Sequence, residues 1–202
     1  MSLYSLLPLA GLTVLTMGAT PVLAQDGPSF NCEAASTSAE ELVCSDPELA
    51  VLDRRLQERF SAAVTAAEAR LPAALPDLRA MQRGWVKGRD DCWKGRDLRD
   101  CVEFNYLHRE AQLVAAWSLD EPVWVITYDC AEAPEVRVSF YETELTSIRI
   151  ERGAETDVAV TDPSAENAQF WSDLGSMLLV DGDDAWLQWL GGSKEACTLS
   201  AD

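Results

Sequence analysis

Histidine occurs once in the 202-residue sequence, at position 108, and none of the six cysteines stands in a C-x-x-C pair or a His-paired arrangement. A zinc centre and a redox dithiol both need more than that, so metal and thiol catalysis are not expected, and no cofactor is implied. Basic residues are scarce too: 16 Lys and Arg stand against 34 Asp and Glu, a net charge of −18. Such a chain is repelled by nucleic acid and anionic membrane surfaces, and long-range attraction favours a basic partner. Acidity of this kind also simply keeps many secreted proteins soluble. The apolar run near the start, Leu6–Leu15, is broken by Pro8, Gly11 and Thr13 and is too short to span a bilayer.

That short run has the size of an export-signal core. Val22-Leu23-Ala24 places small residues at the −3 and −1 cleavage positions, although no Lys or Arg precedes the run. Residues 1–24 are therefore expected to be a signal peptide, with the mature chain starting at Gln25. There is no cysteine at the cleavage point, so no stable membrane anchor is expected, and the mature protein should be soluble in the periplasm or outside the cell. An even number of cysteines suits disulfides in such an oxidising compartment.

From Gln25 to about Trp117 the apolar pattern is helical. Ser45-Asp46-Pro47-Glu48 reads as a helix start with Ser45 as N-cap and Glu48 completing a capping box. Leu49, Leu52, Leu56, Phe60, Ala63 and Ala67 follow at spacings of three and four, one apolar face. Leu71-Pro72 ends this helix. Pro76-Asp77 opens a second through Leu78, Met81, Trp85 and Val86, and after a break at Lys94-Gly95 a third runs Leu98–Trp117. Short connections imply antiparallel neighbours. The interspersed charges, such as Asp53, Arg54, Arg55 and Glu58, read as a solvated face, and His108 as structural.

Beyond Pro122 the period becomes two. Apolar runs of strand length recur at Val123–Tyr128, Val136–Phe140, Ser147–Ile150, Asp157–Val160, Gln169–Ser172, Met177–Val180, Trp186–Leu190 and Thr198–Leu199. Turn signals such as Arg152-Gly153, Asp162-Pro163, Asp181–Asp184 and Gly191-Gly192 separate them. Val136, Val138 and Phe140 alternate with Arg137, Ser139 and Tyr141, which predicts a sandwich or barrel with one buried face. Cys130 ends the first strand and Cys197 opens the last, so one bridge would tie the sheet's two ends. Cys32–Cys44 and Cys92–Cys101 are the sequence-local pairings for the other four, and crossed pairing stays open because the second helix returns Cys92 towards Cys44.

The helical stretch resembles the N-terminal domain of LprI-type lysozyme inhibitors. The residues that carry this are Cys32; Cys44 with Ser45–Leu56, including Leu52-Asp53; Gln82-Arg83-Gly84-Trp85; Arg89-Asp90 with Cys92; and Cys101, Tyr106 and Arg109. The β stretch resembles the membrane-bound lysozyme inhibitor of c-type lysozyme, MliC. There the residues are Val125–Cys130, Pro134–Tyr141, Pro163-Ser164-Ala165, Asp181-Gly182-Asp183 and a terminal cysteine. The second resemblance implies an eight-stranded antiparallel barrel whose first and last regions share a disulfide. Together they imply an α+β chain of two domains, a helical bundle over 25–117 and a barrel over 123–202.

They also imply a function, non-covalent occlusion of the glycan cleft of c-type lysozyme. In the barrel family a loop places a hydroxyl and an ammonium against the two catalytic carboxylates of the enzyme. That loop reads roughly Ser-x-Ser-Gly-x-x-Tyr, with a Lys-Gly-Asp turn further on. Here it reads Ser164-Ala165-Glu166-Asn167-Ala168-Gln169-Phe170, and the turn Val180-Asp181-Gly182-Asp183. The resemblance therefore assigns partner binding to Ser164, Glu166, Asn167, Phe170, Asp181, Gly182 and Asp183, with Glu166 in place of the hydroxyl and Asp181 in place of the lysine. Carboxylates facing carboxylates repel, so three possibilities stand: a different insertion residue, inhibition by the helical domain, or another basic periplasmic partner such as a different glycan-cleaving protein. Acidic pairs can do acid–base work, but no catalytic spacing is present and the chain is not expected to be an enzyme.

Overall fold

A computed structural model describes residues 27–132, 135–165 and 168–200. The expected signal peptide, Glu166 and Asn167 lie outside the described residues. Four helices come first: α1 (Ser38–Ser45), α2 (Pro47–Arg70), α3 (Leu75–Asp90) and α4 (Leu98–Trp117). Eight strands follow and close into an antiparallel barrel in simple sequence order, β1 (Trp124–Cys130), β2 (Val136–Tyr141), β3 (Ser147–Arg152), β4 (Glu155–Thr161), β5 (Ala168–Trp171), β6 (Met177–Asp181), β7 (Asp184–Gln188) and β8 (Lys194–Leu199).

Helix α1 was not expected, and it corrects the assignment of Ser45. Thr37-Ser38-Ala39-Glu40 is itself a capping box: Thr37 Oγ1 accepts from the Glu40 N–H, and the Glu40 carboxylate accepts from the Thr37 N–H. Ser45 is the last residue of α1, and its hydroxyl turns back to the Glu41 and Leu42 carbonyls at 3.0 Å each. The cap of α2 is Asp46, which accepts from the N–H groups of Glu48 and Leu49. Pro47 decides this, because it occupies the first helical position and forces the residue before it into extended backbone. On α3, Leu78 is buried, but Met81 is 59% exposed and is not part of the inward face.

Three disulfides close local loops and the barrel. Cys32 pairs with Cys44, and Cys92 with Cys101. Cys130 pairs with Cys197, its direct cross-strand neighbour in the β1–β8 ladder that completes the barrel.

Alternation fills the barrel as the sequence implied: Val136, Val138, Phe140, Ile148, Ile150, Phe170, Leu178 and Leu187 point inward, and Phe140 meets Phe170 edge-on at 5.8 Å. The outer face of β2–β4 is not solvated, however. Helix α4 lies across it, so Ser139 and Tyr141 are buried although they alternate with the core residues. Ala111 packs with Leu145 and Val160, and Val114 and Ala115 with Tyr141. Polar ties complete the contact. Arg149 on β3 donates to the Ala116 carbonyl in the last turn of α4 at 2.8 Å, and the Ser118 and Tyr141 hydroxyls meet at 3.1 Å. Arg55 on α2 bridges the buried Glu110 of α4 (2.7 Å, an ion pair lacking hydrogen-bond alignment) and Glu144 after β2 (2.8 Å). The other side of α4 packs Val102, Tyr106 and Leu113 into the helical core with Leu49, Leu56 and Leu78.

Candidate functional site at the barrel end

The strand order brings the two predicted segments together. Ala168 at the start of β5 pairs with Val180 near the end of β6, so the β4–β5 loop and the β6–β7 turn lie at the same end of the barrel. The start of β1 is there too, with Trp124 68% exposed. Gly182 takes φ +63 and Asp181 pairs with Asp184 across a two-residue turn, where glycine accepts the positive φ without penalty. This sets Asp181, Asp183 and Asp184 within four residues on an exposed tip. Among the described residues no Lys or Arg lies within ion-pair distance of any of them. The tip is an uncompensated acidic surface.

Ser164 is exposed, but its hydroxyl is engaged. Its N–H and Oγ both donate to one oxygen of Asp162, at 2.9 and 2.6 Å, a turn that holds the Asp162 carboxyl below the usual aspartate range. Phe170 is corrected: its ring is 4% exposed inside the barrel, so it serves the core and does not reach a partner. Gly182 contributes the turn alone.

The helical motif residues resolve into a buried polar chain. The Tyr106 hydroxyl donates to Asp53 Oδ1 at 2.9 Å and accepts from Arg89 at 2.8 Å. Arg89 also donates to Asp90, and Asp53 Oδ2 accepts from the Ser29 N–H. The guanidinium lies within 6 Å of the Phe30, Trp85 and Tyr106 rings. Burial pushes the Tyr106 phenol well above its ordinary value, so the hydroxyl stays a donor. Asp53 and Arg89 are each under a tenth exposed. This signature holds the helices in place and is not open to a partner. His108 is half-buried against Phe104, and burial lowers its pKa, which leaves it neutral near pH 7.

A cleft between the helices and the outer face of the barrel was not foreseen. It has a volume of about 990 Å³ and is bounded by Leu78, Arg109 and Trp117 on one side and Tyr141, Val158 and Leu174 on the other. Among the described residues, none of the β4–β5 loop or the β6–β7 turn lines it. Among the described residues no group of His, Cys, Asp and Glu is placed to hold a metal ion, and no helix is long and apolar enough to cross a membrane.

Residues 32–116 match the family described as "Lysozyme inhibitor LprI". Over 104 residues, 52% of the chain, the sequence is 36% identical to proteins named "Lipoprotein LprI" from Mycobacterium bovis and from two strains of Mycobacterium tuberculosis. The chain spans about half the length of these curated relatives. No solved structure matches it. The β-barrel lies beyond the family match.

Proposed function

We propose that the protein is an exported inhibitor of c-type lysozyme, freed from its signal peptide after Ala24 and soluble in the periplasm or outside the cell, with 25–117 and 123–202 as its two domains and no catalytic activity of its own. One observation carries this: the helical part matches a lysozyme-inhibitor family across residues 32–116. The closed eight-stranded barrel is the shape that the MliC resemblance implies, which supports a second inhibitor-type module on the same chain.

The barrel end acts by occlusion. Ionised carboxylates only accept hydrogen bonds, so Asp181 and Asp183 engage arginines around the cleft of a basic lysozyme, where forked carboxylate pairing is favoured, and not its catalytic acids. Asn167 supplies the donors that a hydroxyl and an ammonium supply in the resembling family. The chain's charge of −18 speeds encounter with a basic enzyme.

A second reading has its own support: the Ser164 hydroxyl is spent on Asp162 and Phe170 is buried, so two positions expected to contact lysozyme are otherwise engaged. On that reading the same acidic end holds another basic envelope protein. Calorimetric titration of mature protein into chicken-type lysozyme at near-physiological ionic strength separates them. A saturable complex weakened by Asp181→Lys supports the lysozyme reading, and no complex at 0.15 M salt supports the other; weak ion pairing alone would not survive the screening.

A further inference from the structure

Arg109 is 4% exposed in a chain with more than twice as many acids as bases, yet among the described residues it makes no ion pair. Its Nε donates to the Gln82 amide oxygen at 3.0 Å and its NH1 to the Gln112 amide oxygen at 3.2 Å. Its NH2 is buried without a partner. The nearby carboxylate, Asp173, is taken by the Gln112 amide N–H at 2.7 Å. Burial drags the guanidinium pKa down to about 10, a shift that the nearby Asp173 carboxylate offsets only in part. A buried guanidinium ordinarily meets a carboxylate or phosphate that forks across it. The helical core supplies the contrast, since Arg89 there is paired with Asp90 and Tyr106.

Arg109 lines the cleft between the helices and the barrel, with Leu78, Leu113, Trp117, Val158 and Leu174 providing an apolar lining. The volume, about 990 Å³, is at the upper end of the range for small-molecule sites. Four basic residues, Arg70, Arg109, Arg137 and Arg149, border it together with six acidic ones, of which Glu151 is paired with Arg149, Asp120 with Arg59, and Asp157 with the Ser172 hydroxyl. Arg149 is occupied by Ala116 and Glu151, Arg70 by the Trp117 carbonyl, and Arg137 stands exposed beside Glu151, so of the four Arg109 is the buried cation with an unpartnered donor among the described residues.

We propose that this cleft binds a small carboxylate with an apolar body, its carboxylate forked on the NH1–NH2 end of Arg109 and its body against Trp117 and Leu174. Gln112 is the side chain that must turn to admit it, since its amide oxygen accepts from NH1. The site shares no residue with the acidic barrel end and stands whether or not the protein inhibits lysozyme.

Hexanoate and its uncharged analogue hexanamide are the probes, titrated into the mature protein with the disulfides intact and followed through the Trp117 indole and Gln112 amide resonances. Saturable shifts are expected with hexanoate, and hexanamide should bind at least tenfold more weakly. Arg109→Gln should weaken hexanoate at least tenfold with the circular-dichroism spectrum unchanged. Leu174→Ser, on an exposed side chain far from the core, should weaken hexanoate severalfold and keep the preference for acid over amide, and it decides the matter if Arg109→Gln does not fold. Equal affinity for acid and amide, undiminished binding by a folded Arg109→Gln variant, or no saturable shift up to 100 mM hexanoate would each overturn the proposal.

Discussion

Tyr106→Phe is the sharpest probe of how the helical part is held together. The change removes one oxygen and no carbon, so packing against Trp85, 5.2 Å away between ring centres, is kept. The lost hydroxyl spans two buried ions, Asp53 at 2.9 Å and Arg89 at 2.8 Å. Hydrogen bonds to charged groups contribute roughly 1.5–3 kcal/mol each, and both ions stay buried when the oxygen goes. Asp53 keeps the Ser29 N–H and Arg89 keeps Asp90, so the loss is partial, and about 3 kcal/mol is expected for the pair. For a chain of this size that is a fall in Tm of roughly 6–12 °C. Tyr141→Phe is the control: its hydroxyl meets only the neutral Ser118 hydroxyl, and about 1 kcal/mol is expected. Urea unfolding monitored by tryptophan fluorescence gives both values from shifts in midpoint at constant slope. A Tyr106→Phe loss no larger than that of Tyr141→Phe would mean that the polar chain is not what fixes these helices.

Other expectations follow from the same geometry. Burial lowers the His108 pKa, so the unfolded chain binds more protons as pH falls below the unfolded value near 6.5; stability should drop there, and His108→Gln should flatten that part of the urea-midpoint profile. Opening Cys130–Cys197 by a double change to alanine frees a loop with a sequence separation of 67, worth about 4 kcal/mol on the chain-entropy account, measured by urea unfolding. Arg149→Met removes the donor to Ala116 at the end of α4, and a loss of about 1–2 kcal/mol is expected with faster amide exchange over residues 114–117. Glu166→Ser with Asp181→Lys should weaken binding to chicken-type lysozyme, since Asp181 is the group that holds the enzyme's arginines; stronger inhibition would instead mark the loop as a drifted insertion site.

Much of the fold was legible because hydrophobic period tracks the burial of one face. Val136, Val138 and Phe140 announced an inward row, and eight strands emerge where eight runs were read. Strand β8 was read too short because Glu195 breaks the alternation: it points inward, 7% exposed, near Arg152 and against the Glu132 N–H. Helix α1 was missed because only Ala39 and Val43 are buried on it, too few for a periodic signal, although Thr37 to Glu40 spells its cap. The docking of α4 on the barrel had a signal that period-counting passes over. Ala111, Leu113, Val114 and Ala115 are apolar almost all round the helix, as burial on two sides demands. The predicted site was legible only as place. Topology gathers the loop and turn at one end, but Phe170, which the resemblance assigned to partner binding, sits within the strand run read at Gln169–Ser172 and faces inward against Phe140. The cleft at Arg109 was invisible in sequence, since it arises from residues on α3, α4 and the β5–β6 loop that meet only in the folded chain.

Inhibition itself is tested most directly by the rate at which chicken-type lysozyme clears a suspension of cell walls, at 0.15 M salt, with increasing mature protein. A saturable fall in rate, with a stoichiometric complex on gel filtration, is the predicted result. An unchanged rate at saturating protein, with no complex detected, would contradict it.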